Sequence, residues 1–425
     1  MRGTELPLVT ALPFVALLLV IALAPLIVPK WWHHNRNKAL VSLAISAPIL
    51  LYLGSTAPAL LNEKFHEYLS FIVVIAALYV IAGGIHIEGS LAGTPLVNTG
   101  VLGLGAVLAN LLGTTGASVL LIRPLLRANK RRKRVAHVVI FFIFIVANCA
   151  GVLTPIGDPP LLLGYLKGVP FDWTLRLWPQ WLMVNGILLV VFNFWDQWAL
   201  DKDEKELPGS QHEEVLIHEP LRITGGLEML VLLGIIATIL LAGSSLIILG
   251  LAVLGYFAGS GDRRTRNAFT FGPIIEVAVL FAAIFATMAP VLEMLNAWAQ
   301  RPDFGLTKPA HFFWASGALS SVLDNAPTYL AFVASAAGLQ GVAPHGAYIG
   351  TMALNPEAAK LLAAISTGAV FMGANTYIGN APNFMVKAIA EANGVKMPSF
   401  FGYLGYSMGI LVPLYVAISL IFFNT

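Results

Sequence analysis

Several stretches of the sequence are long enough to cross a membrane as a helix and contain almost no charged residues. A helix needs about 18 to 20 consecutive apolar residues to span the hydrocarbon of a bilayer. The clearest such runs are residues 6–29, 69–85, 135–153, 223–243 and 403–423. Hydrophobic residues make up 57% of the 425 positions and charged residues 11%, a balance outside that of soluble domains. We therefore predict an all-α polytopic membrane protein with about 10 to 12 membrane segments.

Several classes of function find no support in the sequence. Cys149 is the single cysteine, which excludes a disulfide within the chain and a cysteine-cluster metal site. The net charge is +3, without the basic and aromatic interleaving of nucleic-acid binders. GSGD at 259–262 fits a GxGD protease pattern, but Arg263 and Arg264 follow directly in a loop. Other catalytic and nucleotide-binding motifs are missing, so we expect neither an enzyme nor an organic cofactor.

Three basic groups predict the orientation in the membrane. The first and densest holds Arg123, Arg127, Lys130, Arg131, Arg132, Lys133 and Arg134. The second lies at 30–38 and the third at 263–266. The positive-inside rule places all three in the cytoplasm, and we expect a plasma membrane, the inner membrane of a bacterium. The spans at 69–88 and 273–294 then cross the bilayer in opposite directions.

The two halves of the chain repeat each other. TPIGDPP at 154–160 corresponds to TYIGNAP at 376–382, and LLGTTGAS at 111–118 to VLDNAPTY at 322–329. The first pair lies 222 residues apart (154 to 376), and the second 211 (111 to 322). Because corresponding spans run in opposite directions, the repeats are predicted to have inverted topology, the pattern of secondary transporters.

Glycine and proline interrupt both repeats where an apolar helix would otherwise continue. Such breaks free backbone amides and carbonyls, which persist in a membrane only where protein or water satisfies them. The predicted break residues are Gly157, Pro159, Pro160, Gly379, Pro382 and Pro327. Each repeat is therefore expected to hold a re-entrant hairpin and a broken helix, whose half-helix ends form a binding site at the membrane midplane.

These features divide the chain into five predicted parts. They are N-terminal spanning helices (1–62), repeat 1 (63–195), an acidic cytoplasmic linker (196–222), linking helices (223–262) and repeat 2 (263–425). The first run lacks the cleavage site of a signal peptide, so we expect it to remain in the mature chain. The hairpins are expected near 91–123 and 309–341, and the broken helices near 137–167 and 360–393.

Two carboxylates, Asp158 and Asp324, are the acids of the four interrupted segments. The candidate ion- or substrate-binding residues are Asp158, Asp324, Asn325, Asn380, Thr154, Thr376, Thr328, Thr114, Thr115 and Ser118. An ionisable residue inside a membrane indicates function, although Asp158 alternatively caps the half-helix that starts at Pro159. No lysine or arginine lies within the tips, which favours a cation, with Na⁺ placed at Asp324, Asn325, Asp158 and Asn380.

Two chemistries remain open for this site. Burial and a neighbouring like charge favour protonation of a carboxylate, so the pair is suited to exchange H⁺ for Na⁺ as an antiporter. Alternatively, bound Na⁺ neutralises the site and recruits an anion, such as citrate or a dicarboxylate, to half-helix N-termini and to Thr114, Thr115, Thr154 and Thr376. A passive channel is a further, less favoured reading. Glu276 is a candidate coupling residue, with snorkelling or pairing to the Arg263 cluster as the alternative.

Three segments carry a family resemblance: SSVLDNAPTYLAF, ANCAGVLTPIGDPPLL and GANTYIGNAPNFMVKAI. They resemble the citrate transporter and NhaD-type sodium:proton antiporter branch of the ion transporter superfamily, over about 42–415. The resemblance implies inverted repeats and a homodimer in which a transport domain moves against a scaffold. It also implies an ion-site role for Asp324, Asn325, Thr328, Asp158 and Asn380, with Thr154 and Thr376 beside them. The Ser-Asn-Thr signatures of the dicarboxylate branch are absent from the hairpin tips, which argues against a carboxylate substrate.

Overall fold

Helices account for most of the described residues. The computed structural model describes residues 6–89, 91–206, 222–241 and 243–424. Within these residues, eight helices are long and apolar enough to cross a membrane, and three shorter apolar helices accompany them. The two short strands, β1 (His86–Glu88) and β2 (Arg222–Thr224), pair antiparallel with Ile87 opposite Ile223. The prediction of an all-α polytopic membrane protein is therefore confirmed.

The helices follow one another in two comparable series. The first series is α1 (Leu12–Ile27), α2 (Pro29–Trp32), α3 (Asn35–Thr56), α4 (Pro58–Ala82), α5 (Pro95–Ala128), α6 (Ala136–Ile145), α7 (Pro159–Leu166) and α8 (Trp178–Glu206). The second is α9 (Gly226–Leu240), α10 (Ser245–Ala258), α11 (Gly261–Arg266), α12 (Gly272–Ala299), α13 (Pro309–Ser320), α14 (Asn325–Leu339), α15 (Tyr348–Leu354), α16 (Pro356–Met372), α17 (Ala381–Ala392) and α18 (Phe400–Phe422).

Helix α5 folds back on itself as a hairpin. Gly113 has φ of +74°, a left-handed conformation that glycine adopts without steric penalty. At the base, the amides of Asn98 and Asn129 donate to each other at 2.9 and 2.8 Å. A continuous helix would hold residues 31 positions apart about 46 Å from each other. The reversal therefore lies at Gly113, and the base of the hairpin lies at the two asparagines.

Helices α13 and α14 form the second hairpin. The rings of Phe312 and Phe332 lie 6.5 Å apart between centroids, although 20 residues of straight helix measure about 30 Å. Asp324 begins α14, where its carboxylate accepts a hydrogen bond from the Ala326 amide at 3.1 Å. Pro327 lies in the first turn, where the missing amide hydrogen removes no intrahelical bond. Each half of the chain thus contains one hairpin.

Each half also contains one broken helix, and the two run antiparallel. The first is α6 and α7, interrupted between Ile145 and Pro159, and the second is α16 and α17, interrupted between Met372 and Ala381. Near the end of α7, the Gly350 amide donates to the Lys167 carbonyl at 3.0 Å, joining it to the region that precedes α16. At the opposite end, residues 132–137 before and within α6 share a cavity with residues 393–396 after α17.

The basic groups of the sequence lie on one face of the molecule. Arg127 donates to the Ile87 carbonyl at 3.1 Å, and Arg266 pairs with Glu88 at 2.7 Å. Asn35, in the second group, donates to the Gly272 carbonyl at 3.0 Å, shortly after the third group. Through β1 and the start of α12, these contacts bring the three groups near one another, in agreement with the common cytoplasmic side that the positive-inside rule assigns.

The predicted acidic linker differs from the structure in its first part. Helix α8 continues through Asp196 to Glu206, so residues 196–206 of the predicted linker are helical. The physical reason is pairing across the fold, because Arg132 reaches Asp196 at 2.6 Å and Arg134 reaches Asp203 at 2.6 Å. The rest of the predicted linker, residues 207–221, lies outside the described residues.

Candidate functional site

Both hairpin tips and both helix breaks meet at the carboxylate of Asp158. The side chain is 2% exposed. Its Oδ1 accepts a hydrogen bond from the Thr114 hydroxyl at 2.7 Å and a longer one from the Asn380 amide at 3.4 Å. Its Oδ2 accepts a hydrogen bond from the amide of Asn325. Three residues from α5, α14 and the second break therefore hold one acid, and all three are predicted site residues.

The local sequence explains why Asp158 faces these partners. The residue before a proline is driven to extended backbone, and Asp158 has φ −148° and ψ 147°. Asn380 takes the matched conformation at φ −149° and ψ 141°. Neither side chain caps the half-helix that follows it. The capping alternative for Asp158 is therefore not what the structure shows, and the carboxylate is available to the site.

Close backbone approach makes both breaks compact. A side-chain carbon on Gly157 would collide with the backbone of Gly151, and one on Gly379 would collide with the backbone of Gly373. The two pairs hold matched positions in the repeat, 222 residues apart (151 to 373, 157 to 379). Small residues are needed where backbone segments cross this closely. The glycines predicted from the break pattern thus let the backbone cross itself closely within each break.

Asp324 lies at the tip of the second hairpin, in a different role from Asp158. It is half-buried and caps α14, whereas Asp158 is fully buried. Asn325, the residue after Asp324, makes the direct contact to Asp158. The structure therefore brings the two predicted acids together, one from each half of the chain.

The predicted threonines hold different positions. Thr154 donates to the Asn110 carbonyl at 2.6 Å, and Thr376 donates to the Ser321 carbonyl at 2.5 Å. Both hydroxyls therefore tie a break to the hairpin of the same half. Thr328 donates to the carbonyl of Asp324 at 2.9 Å within α14. Of the remaining hydroxyl residues, Thr115 lines the cavity beside Asp158, and the buried Ser118 hydroxyl has no hydrogen-bond partner among the described residues.

A network of amides behind Asp158 was largely missed from the sequence. Asn380 donates to Asn148 Oδ1 at 3.2 Å, and Asn148 donates to Asn383 Oδ1 at 2.6 Å. Asn383 in turn donates to the carbonyls of Gly373 and Thr376 at 2.8 and 2.9 Å. These bonds satisfy carbonyls that the break frees. The one indication of this network in the sequence was Asn383, which follows Asn380 by three residues and lies in the first turn of α17.

Oxygen atoms dominate the chemistry of the site. Asn325 Oδ1 is buried and lacks a hydrogen-bond partner in the described part of the chain, and it belongs to the side chain that already touches Asp158. Carboxylate and amide oxygens are ligands for hard cations. Groups of three or more histidine, cysteine, aspartate or glutamate side chains suited to a metal do not occur among the described residues. The site thus presents oxygen ligands from one carboxylate and neighbouring amides.

A small cavity of about 70 Å³ opens beside Asp158. It holds room for about two water molecules at the roughly 30 Å³ that each occupies in the liquid. Besides Asp158, its polar lining includes Thr114 and Thr115, and α4 and α12 contribute a mostly apolar wall made of Ile75, Leu78, Tyr79, Pro273, Ile274 and Val277. The site is thus reached between helices that lie outside the hairpins and breaks.

Glu276 pairs with Lys38 at 2.7 Å and not with the Arg263 cluster. Pro273, Ile274 and Val277 of the same helix line the cavity beside Asp158, but Glu276 does not. The Glu276 side chain is 40% exposed, but that of Lys38 is only 5% exposed, so water screens the pair only in part. Its coupling role stays a prediction of the sequence.

A Glu276→Gln variant tests that role. Because the carboxylate lies outside the cavity, we expect ion flux within about twofold of wild type. The melting temperature should fall modestly, because the buried Lys38 keeps an amide oxygen as its partner but loses the negative charge. Flux in reconstituted vesicles and thermal unfolding in detergent are the measurements. Loss of flux without a larger fall in melting temperature would instead assign the coupling role to Glu276.

Comparison with known families decides the class of the protein. The sequence pattern of the family described as "Putative citrate transport" matches residues 3–423. The chain belongs to this family. As a member of the citrate-transport family with eight apolar helices of spanning length in its described residues, it is an integral membrane transporter. The predicted superfamily resemblance is confirmed, and no curated protein matches the chain.

Proposed function

We propose that this transporter is a secondary active antiporter that exchanges Na⁺ for H⁺ by alternating access. The observation that supports it is the environment of Asp158, a buried carboxylate held by the neutral donors Thr114, Asn325 and Asn380. No lysine or arginine pairs with it in the described part of the chain. A buried charge without a countercharge is unfavourable, and either a proton or a sodium ion removes that charge. The two ions therefore compete for the same oxygens.

The site residues adapt to both ions without a change of fold. In the structure, Asn325 presents its NH₂ group to Asp158. Rotation of the amide by half a turn exchanges NH₂ for Oδ1, the oxygen that lacks a partner, and this oxygen then faces a bound cation together with Asp158. The Thr114 hydroxyl turns its hydrogen or its lone pairs toward Asp158 in the same way. Asp324, the residue before Asn325 in the chain, attracts the cation to the site.

Alternating access requires two halves that open to opposite sides. We propose that α5–α7 and α13–α17 are inverted-topology repeats, supported by the antiparallel broken helices and by the matched anchors Thr154 and Thr376. In this proposal the hairpins and breaks move together against α4 and α12, which close the cavity beside Asp158. We also propose a homodimer in the plasma membrane, as the superfamily resemblance implies.

Purified protein in vesicles tests the exchange. An acidic interior should drive uptake of tracer Na⁺ above its equilibrium level, and a Na⁺ gradient should drive a pH change reported by a trapped dye. Uptake that only runs down the Na⁺ gradient, without any response to pH, contradicts antiport and indicates a channel.

A Na⁺- or H⁺-coupled citrate transporter is the second candidate, favoured by the description of the matched family. The helix N-termini of α7, α14 and α17 converge on the site, and such N-termini attract anions. The small cavity and the missing basic side chains weigh against a tricarboxylate. A parallel vesicle assay with labelled citrate separates the candidates, because citrate accumulation without Na⁺/H⁺ exchange would replace the first proposal by the second.

A further inference from the structure

A second cavity, larger than the first, lies on the face that carries the basic groups. Its volume is about 650 Å³. The loop between α5 and α6, the end of α8 and the connection from α17 to α18 build it. The basic side chains in its wall are Arg127, Lys130, Arg132, Lys133, Arg134, His137 and Lys396. The described wall contains no aspartate or glutamate, so its charge is of one sign. We call it the basic pocket.

Acids behind the wall neutralise only part of this charge. Asp196 pairs with Arg132, and Asp203 pairs with Arg134. Lys130 and Lys396 are exposed and form no ion pair among the described residues. The Arg132 side chain is 8% exposed, yet its Nε lacks a hydrogen-bond partner in the described part of the chain. The basic pocket therefore retains donors and positive charge that have no partner among the described residues.

Aromatic side chains frame the basic pocket on the side of α8 and α18. Trp195 and Trp198 of α8 and Tyr406 of α18 belong to its wall. The rings of Trp195 and Tyr406 lie 5.7 Å apart, and Trp198 is 53% exposed. Tryptophan and tyrosine concentrate at the level of lipid headgroups, where their rings meet both apolar chains and water. The basic pocket thus lies at the boundary between cytoplasm and bilayer.

We propose that the basic pocket binds the phosphate group of an anionic phospholipid. Phosphate oxygens accept charge-assisted hydrogen bonds from arginine and lysine, and the acyl chains lie along Trp195 and Trp198. Basic pockets between helices on the cytoplasmic side suit such headgroups. The positive-inside rule explains basic residues in this loop, but it does not require a concave wall free of acids. A bound lipid joins the base of the α5 hairpin to α8 and to the end of the second broken helix.

Binding is tested on the purified full-length protein. Its melting temperature in detergent is measured with added phosphatidylglycerol or with phosphatidylcholine, and native mass spectrometry counts retained lipids. We expect phosphatidylglycerol alone to raise the melting temperature and to be retained. In a Lys130→Gln/Lys396→Gln double variant, the affinity for phosphatidylglycerol should fall roughly 10- to 30-fold, since each lysine near a headgroup contributes about 1 kcal/mol.

A matched control removes the same charge elsewhere. Lys30 and Lys308 are exposed and lie outside the basic pocket, so Lys30→Gln/Lys308→Gln should bind phosphatidylglycerol as wild type does. Equal losses in both double variants would overturn the proposal, because the attraction would then depend on net charge and not on the pocket. Stabilisation by pyrophosphate but not by phosphatidylglycerol would also overturn it and would assign the pocket to a soluble phosphate compound.

Discussion

Replacing Asp158 by asparagine is expected to reduce coupled Na⁺/H⁺ exchange to the level of vesicles without protein, because an amide neither takes up nor releases a proton. The fold should persist. Asn325 presents its NH₂ group to Asp158 and keeps a free Oδ1, so rotation of its amide supplies an acceptor for the new NH₂ group. Tracer Na⁺ uptake under a pH gradient measures the loss, and the melting temperature verifies the fold.

Two comparisons sharpen this result. Asp324→Asn should also stop coupled exchange, since the second carboxylate attracts the cation to the same site. Asp303→Asn removes an exposed carboxylate from the loop before α13 and should leave exchange unchanged. Wild-type exchange by Asp158→Asn would reject Asp158 as the exchanging group, whatever the behaviour of Asp324→Asn.

Replacing Asp196 by alanine is expected to destabilise the protein more than any other single change outside the ion site. Asp196 is fully buried and accepts hydrogen bonds or ion pairs from Arg132 at 2.6 Å, His137 at 2.7 Å and Asn98 at 2.8 Å. Removing one partner of a buried ion pair leaves the other charge uncompensated and costs about 3 to 5 kcal/mol. The melting temperature in detergent should fall accordingly.

Asp201→Ala is the matched control for this loss. Asp201 lies on the same helix, but it is exposed and accepts a hydrogen bond from Gln197 at 2.8 Å. Surface changes of this kind stay within about 0.5 kcal/mol. If Asp196→Ala melted at the wild-type temperature, the buried network would not stabilise the base of the α5 hairpin as its contacts indicate.

The sequence predicted those parts of the site that depend on backbone interruption. Proline lies in the first turn of α7 and of α17, and glycine lies where the backbone crosses itself. Both residue types are unfavourable inside an apolar helix, so their spacing located the breaks. The matched segments at 154–160 and 376–382 also aligned Asp158 with Asn380, and in the structure the Asn380 amide donates a hydrogen bond to the Asp158 carboxylate. Features that depend on local backbone conformation could therefore be predicted from the sequence alone.

Roles that depend on contacts between distant segments could not be predicted in this way. Thr154 and Thr376 were expected at the ion, but their hydroxyls bind the carbonyls of Asn110 and Ser321. Asn383 resembled any polar residue of a helix until its partners were known. The acids from Asp196 onward suggested an acidic linker. Their partners, Arg132 and Arg134, lie more than 60 positions earlier in the chain, so the pairing could not be recognised from the sequence.

Because neutral donors hold one deeply buried acid, the site limits the uncoupled leakage of ions. Without a bound Na⁺ or H⁺, the transporter would have to reorient with an unneutralised negative charge in a region of low dielectric constant. The amide and hydroxyl donors offset only a fraction of this electrostatic free-energy cost. Under the proposed exchange, reorientation is therefore fast when Asp158 is loaded and slow when it is vacant. Tight stoichiometry then arises from electrostatics alone, without a separate gate that senses occupancy.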